Sequence, residues 1–373
     1  MSTFRVALSA DFLKPDGSPT LADFDLTPLH RDPRIEIGYV RAVSDVIPAS
    51  ALEDYDALIL YAHQLRRDSL PASRRLGLVA RFGVGYDTVD VEALADQGVA
   101  TIITPRGVAR PVAVGIFALI LVLTNRILSK DKLARRGAAG FADPSAPIGL
   151  GITGKTLGTI GLGNIAAEMV AIMRPLGLNF IAHDPHVSAA RALELGVRLV
   201  DVETLFRTSD ILTVNCPLGP ATRGLVDADR LALMKPTAFL INTARGPIVD
   251  QAALTEALQA RRIAGAALDV FDPEPPEAND PLLALDNVVL TPHSIAMTDE
   301  LIAQCGALDI KAVIDVMHGL EPQGIVQRRA VEHPEWRRRL DHNRVLFGDG
   351  RQRDKAASSG AIVADASADS TSK

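Results

Sequence analysis

Cysteine is almost missing from this 373-residue chain, which carries only Cys216 and Cys305. Two thiols so far apart make neither a disulfide framework nor a zinc site, so a reducing compartment is expected and the protein reads as cytoplasmic. An excess of positive charge is missing as well: 39 Lys and Arg stand against 45 Asp and Glu, for a net charge of −6. Neutralising phosphates needs a basic surface, so nucleic acid is excluded as the main partner. The opening residues, MSTFRVALSADFLKPDG, lack a charged segment followed by a long apolar one, and no signal peptide is expected. The most apolar run, PVAVGIFALILVLTN from Pro111 to Asn125, is too short to span a bilayer. It suits a buried helix near a subunit contact, so a homodimer is expected and membrane insertion is not. No solenoid-like repeat is present.

What is present is a soluble globular balance, 47% hydrophobic and 23% charged, in a chain long enough for two domains. Short apolar or β-branched runs recur through the first hundred residues: FRVALSA, IEIGYV, DALILYA, LGLVARFG and GVATIITP. After a Gly/Pro-rich connection a second series begins, with KTLGTIGLG, LNFIAHD, DILTVNC, AFLINTA, IAGAALDVF and NVVLTP, separated mostly by helical segments such as DQAALTEALQARR. The fold class is therefore α/β, two Rossmann-like or flavodoxin-like parallel-sheet domains separated by a cleft. A substrate domain is expected over 1–107 and 298–330, a nucleotide-binding domain over 108–297, and a largely disordered extension over 331–373. Within that extension, WRRRLDHNR could form a short basic helix, and the Ala/Ser/Asp-rich end is of low complexity.

The stretch GTIGLGNIAAEMV fits G-x-G-x-x-(G/A) through Gly161, Gly163 and Ala166. The motif is weak alone, but here it follows a strand and opens a helix, as its mechanism requires. Gly161 permits the tight turn, and Gly163 lets backbone approach a pyrophosphate. The helix start at Asn164 and Ile165 supplies N–H donors and positive potential. The next strand ends in Asp184, placed to accept hydrogen bonds from ribose hydroxyls and to repel a 2′-phosphate. NAD is therefore the expected cofactor. His183 and His186 flank Asp184, but no further ligand cluster accompanies them and no metal is expected.

Three more polar residues follow apolar strands: Arg245 in AFLINTARGPIVD, Glu274 in AGAALDVFDPEPP, and His293 in NVVLTPHSIA. Each alone reads equally well as a solvated loop residue. Together they are delivered to one edge of one sheet, the edge where a nucleotide lies.

With these blocks in order, the chain resembles the D-isomer-specific 2-hydroxyacid dehydrogenases from about Arg5 to about Pro322. The resemblance is carried by ARFGVGYDTVD, GTIGLGNIA, VNCPLGPATRGLV, INTARGPIVDQAAL, ALDVFDPEPP and LTPHSIA. It implies an NAD-dependent enzyme acting on a small 2-hydroxy or 2-keto acid. Arg245 would bind the substrate carboxylate or carbonyl through its planar cation. His293 would act as general acid/base, with Glu274 orienting the imidazole and favouring its charged form. Backbone N–H groups of Gly83, Val84 and Gly85 would meet the substrate carboxylate, and Thr243 and Asp269 would touch the nicotinamide end. Cys216 would sit beside the cofactor loop. An alternative is an NAD(H)-sensing interaction protein of the C-terminal-binding corepressor type, which keeps the same residue set. Where many relatives carry a Glu-His pair, this chain has Val114 and Gly115, and nearby Arg106 and Arg110 could greet a second anionic group or merely be solvated.

Overall fold

The structure, a computed structural model, describes residues 2–145 and 147–348. Two compact units emerge: one holds the chain before Val108 and resumes at Ile302, and the other is Val108–Leu301.

The first unit is built on five parallel strands, β1 (Phe4–Ser9), β2 (Ile35–Val40), β3 (Ala57–Leu60), β4 (Leu78–Arg81) and β5 (Ala100–Ile103), in the order β2-β1-β3-β4-β5. This is the flavodoxin-like order. All four residues of β3 are buried, as expected of a central strand covered on both faces. Leu58 and Leu60 pack with Val79, Leu94 and Val99 in one core. The helix Val91–Asp96 opens on Asp90, whose side chain accepts from the Ala93 N–H at 2.9 Å.

This unit runs on past residue 330, which corrects the boundary read from the sequence. Arg328–Glu332 and Pro334–Phe347 are helices, and Trp336 is 1% exposed. The buried Arg339 guanidinium donates to the carbonyls of Arg74 at 2.9 and 3.0 Å and of Gly98 at 2.6 Å, with longer bonds to Gln97. Burial pulls its pKa down to about 10, so the side chain stays protonated at neutral pH and all these donors persist. Phe347 closes edge-on against Phe4 at 5.8 Å. The inward positions 336, 339, 340, 343 and 347 do have helical spacing. Two of them are Arg and Asn, so a reading that counts only apolar residues loses the period. The low-complexity end, 349–373, lies outside the described residues.

The second unit carries seven parallel strands: β6 (Thr156–Ile160), β7 (Asn179–His183), β8 (Arg198–Leu199), β9 (Ile211–Val214), β10 (Phe239–Asn242), β11 (Gly265–Leu268) and β12 (Val288–Leu290). Their order is β12-β11-β10-β9-β6-β7-β8, which reverses direction at β6. Six were legible in the sequence. The seventh, β8, is a two-residue edge strand too short to show a pattern. The apolar helix begins at Pro105 and runs to Thr124, 20 residues, so by length and composition it could cross a membrane. Burial rather than length marks it as a core helix. Ala113, Ile116, Leu119, Ile120 and Leu123 are 0–4% exposed and pack with Leu157, Met169 and Phe180.

If the carbonyl cluster holds the last helix in place, Arg339→Met should lower the unfolding free energy by about 2 kcal/mol, because three backbone carbonyls, one of them buried, lose charged donors. Urea denaturation checks this, and an unshifted midpoint would remove Arg339 from the account.

Candidate active site

Because every neighbour in the seven-stranded sheet pairs in parallel, the last residues of six strands fall in one row: His183, Ile160, Val214, Asn242, Leu268 and Leu290. The residue after each therefore emerges along one line: Asp184, Gly161, Asn215, Thr243, Asp269 and Thr291. Backbone bonds carry the ladder that one step further, from Gly161 N to His183 O at 2.9 Å, Asn215 N to Ile160 O at 2.8 Å, and Asp269 N to Asn242 O at 3.0 Å.

At the point where the strand order reverses, the glycine turn joins β6 to the helix Asn164–Met173. Gly161 has φ +90°, and a Cβ there would lie 2.9 Å from the Asn215 carbonyl group and the Cys216 N, so the turn is pressed onto the end of β9. Only glycine meets both demands. Gly163 has open space where a side chain would stand, and as N-cap it offers no side-chain acceptor to the first helical N–H groups. That cradle fits a pyrophosphate. Asp184 fastens the turn from the side: Oδ2 accepts from Leu162 N at 2.8 Å and Oδ1 from His186 N at 2.8 Å. Each carboxylate oxygen keeps a second lone pair, which suits ribose hydroxyls. His183 turns its ring to the Val200 carbonyl at 3.2 Å, and His186 is exposed. Burial pushes the Cys216 thiol up to about 11, so it is no nucleophile at neutral pH.

Three strands further along, the polar trio converges. His293 Nδ1 lies 2.5 Å from Glu274 Oε1, while Glu274 Oε2 accepts from the Phe271 N–H at 3.0 Å. Burial raises the Glu274 pKa, but the His293 hydrogen bond, the Phe271 N–H and the charges of His293 and Arg245 outweigh it and hold the carboxyl below its usual value. Ionised at neutral pH, it can only accept, so Nδ1 carries the proton and Nε2 is left for exchange. Arg245 follows β10 in extended conformation, half-buried and near enough to Glu274 to act on it electrostatically. The next residue, Gly246, packs so tightly on the Phe271 carbonyl that any Cβ would collide with it. The Arg245 segment and the Glu274 loop are thereby locked together.

His293 itself sits at φ +51°, a left-handed conformation that costs a non-glycine residue about 1 kcal/mol or more. Asp269 sustains it. This carboxylate is 4% exposed, and its Oδ1 accepts from Thr291 Oγ1 at 2.6 Å, Ser294 N at 2.8 Å and Ile295 N at 3.1 Å. Its backbone carbonyl takes the His293 N–H at 2.8 Å. The family resemblance points Asp269 at the nicotinamide, whereas the geometry shows it shaping the histidine loop. Nothing in the sequence signalled that role beyond the acid's place after an apolar strand. Gly115 belongs to the same support, since a Cβ there would lie 2.9 Å from Ile295 Cγ1. Arg110 pairs with Glu168 at 2.7 Å, and Arg106 is exposed.

In the first unit, the Gly83–Gly85 turn follows β4. Gly83 is at φ +108°, and its N–H is engaged with Thr104 Oγ1 at 3.0 Å. Of the three expected donors it is therefore already committed. The N–H groups of Val84 and Gly85 make no hydrogen bond among the described residues.

A model of the D-isomer specific 2-hydroxyacid dehydrogenase NAD binding domain matches residues 117–294. A glyoxylate reductase of Aeropyrum pernix is 36% identical over 289 residues, covering 76% of this chain and 86% of that protein. The chain belongs to the D-isomer-specific 2-hydroxyacid dehydrogenase family. Its second unit carries the family's NAD-binding domain, and the cofactor is NAD. A D-3-phosphoglycerate dehydrogenase of Archaeoglobus fulgidus is 35% identical over 279 residues, 74% of this chain but 52% of that protein. The chain spans about half the length of the phosphoglycerate dehydrogenases in this family that it matches. Among solved structures, the TT0316 protein of Thermus thermophilus superposes with a TM-score of 0.75 at 28% identity, over 87% of this chain and all of that one.

Proposed function

We propose that the protein is an NAD-dependent dehydrogenase that interconverts a D-2-hydroxy acid and its 2-keto acid, with His293 as general acid/base. The observation that carries this reading is the 2.5 Å contact between His293 Nδ1 and Glu274 on the sheet edge that bears the glycine turn. When bound, reduced NAD supplies the hydride. The imidazolium donates its Nε2 proton to the carbonyl oxygen as negative charge develops there, and recovers one from the hydroxyl in the reverse direction. Glu274 stabilises the cation and fixes the tautomer. Arg245 binds the anionic oxygens, and Val84 and Gly85 offer backbone donors suited to the carboxylate. Relatives named glyoxylate reductase and D-3-phosphoglycerate dehydrogenase support a small 2-keto acid as substrate class.

Within this reading, His293→Ala should lower turnover of the best substrate by roughly 10²–10⁴-fold while NADH binding stays nearly unchanged. NADH oxidation against glyoxylate, hydroxypyruvate, pyruvate and phenylpyruvate identifies that substrate, and an unaltered rate in the variant would remove His293 from the mechanism. Asp184 as ribose ligand predicts that Asp184→Ala weakens NADH more than NADPH in fluorescence titration. Equal losses would count against it.

A homodimer formed through the second unit is part of the same proposal. Phe141 and Ile148 are 83% and 92% exposed, with Val114, Ile127 and Leu128 also open to solvent. So much uncovered apolar surface in one stretch suits a subunit contact. Phe141→Asp should shift sedimentation toward monomer, and a wild-type monomer at micromolar concentration would end this part of the reading.

A further inference from the structure

At the edge of the seven-stranded sheet opposite the glycine turn, where β10 and β11 begin, the second unit holds a cavity of about 360 Å³. Small-molecule sites run from roughly 300 to 1,000 Å³. Ile148, Pro236, Phe239 and Ile263 give it apolar walls, and Arg126 and Arg261 bring two cations. None of these residues belongs to the proposed chemistry. The walls are tied down by backbone. Leu150 donates its N–H to the Thr124 carbonyl at 2.7 Å, and Ala264 donates to the Ala238 carbonyl at 2.9 Å.

Both arginines stand just past the end of a helix. Arg126 is the second residue after the helix Pro105–Thr124, at φ +56°, and its N–H donates to the Leu123 carbonyl at 3.1 Å. Arg261 is the second residue after the helix Gln251–Gln259, at φ +53°, and its N–H donates to the Leu258 carbonyl at 3.2 Å. Glycine is the usual occupant of this left-handed position, which a Cβ disfavours. A cation near a helix C-terminus is favourable, but one placed in the last turn would meet the dipole without backbone strain. Two such positions, far apart in sequence, both carry arginine and both line one cavity, which points to the side chains as the reason. The Arg126 guanidinium lies over the Phe239 ring, 5.3 Å from its centroid, and no hydrogen bond or ion pair engages it among the described residues. Stacking on a ring face leaves the N–H edges of a guanidinium open to oxygen acceptors. Arg261 pairs with Asp286, but both side chains are more than half exposed, and so weak a surface pair can yield to a ligand.

We infer that this cavity is a second, non-catalytic binding site for a small carboxylate with an apolar body. Arg126, stacked on Phe239, and Arg261 take the carboxylate through charge-assisted hydrogen bonds, while Ile148, Pro236 and Ile263 cover the body. Inorganic phosphate would meet the cations but leave the apolar walls bare. The site stands or falls independently of the dehydrogenase reading.

The test titrates phenylacetate into the full chain by calorimetry, with inorganic phosphate and the neutral phenylacetamide as controls. One phenylacetate per chain should bind at this site, and neither control should match its affinity. Arg126→Gly and Arg261→Gly should each weaken binding about tenfold, the loss of about one charge-assisted hydrogen bond. Their melting temperatures should hold or rise, because glycine suits the left-handed position. Should glycine loosen either helix end, Arg126→Met and Arg261→Met keep the stem and repeat the comparison. Turnover without phenylacetate should stay at the wild-type rate in all four variants. Arg245→Met should leave the site filled, since Arg245 lies at the opposite edge of the sheet. Absence of saturable binding, equal affinity for either control, undiminished binding in either arginine variant, or loss of all binding in Arg245→Met would each overturn the inference. Ile148 also belongs to the proposed subunit contact, so binding seen only in Phe141→Asp would assign the cavity to that contact and overturn the inference too.

Discussion

Parallel, in-register pairing of the seven-stranded sheet is the constraint on which the site depends. A parallel ladder sends every strand out through the same edge, and each strand is followed by a loop that must turn there. With strand ends aligned in one row, residues far apart in sequence, such as Gly161 and Asn215, emerge side by side. The glycine turn occupies the reversal of strand order, where neighbouring loops diverge to opposite faces and leave a crevice. A slip of one residue in any pairing would turn that strand's polar terminus to the other face. Function is therefore bound to the hydrophobic pattern of strands that never touch a ligand.

Local geometry at the end of the row is held by carboxylates with unlike tasks. Asp269 is buried and its Oδ1 is filled by hydrogen bonds from the histidine loop, so it works as a rigid template. Glu274 is only half-buried and gives one oxygen to a backbone N–H and the other to an imidazole. Its charge can respond to a proton arriving at His293. Three acceptor bonds at Asp269 outweigh the left-handed strain at His293, which is why a non-glycine residue persists there. Such strain belongs where one orientation of a side chain matters more than local comfort.

Much of this was legible in the sequence because it is written in local patterns. Eleven of the twelve strands are short apolar runs bounded by turn residues, and the turn Gly161–Gly163 announces itself through context. That Arg245, Glu274 and His293 lie near one another followed from all three succeeding strands of one parallel sheet. What stayed hidden depends on partners distant in sequence. That Asp269 shapes the histidine loop requires knowing that Ser294 and Ile295 turn back over β11. That Gly83 is already committed requires Thr104, which follows another strand, β5. The helix Pro334–Phe347 was missed because its buried face includes Arg339 and Asn343, whose burial is tolerable only where backbone carbonyls await them.

Arg339 and Asp309 make the physical reason explicit. Both are long-range burials of charge in the first unit, and hydrophobicity scales misread both in the same way. Arg339 is satisfied by neutral carbonyls, which need no counter-charge because guanidinium spreads its charge over several donors. A carboxylate has no such recourse, since it only accepts and must find donors or a cation. Asp309 has no hydrogen-bond partner among the described residues, and burial pushes its carboxyl well up although Arg81 opposes the shift.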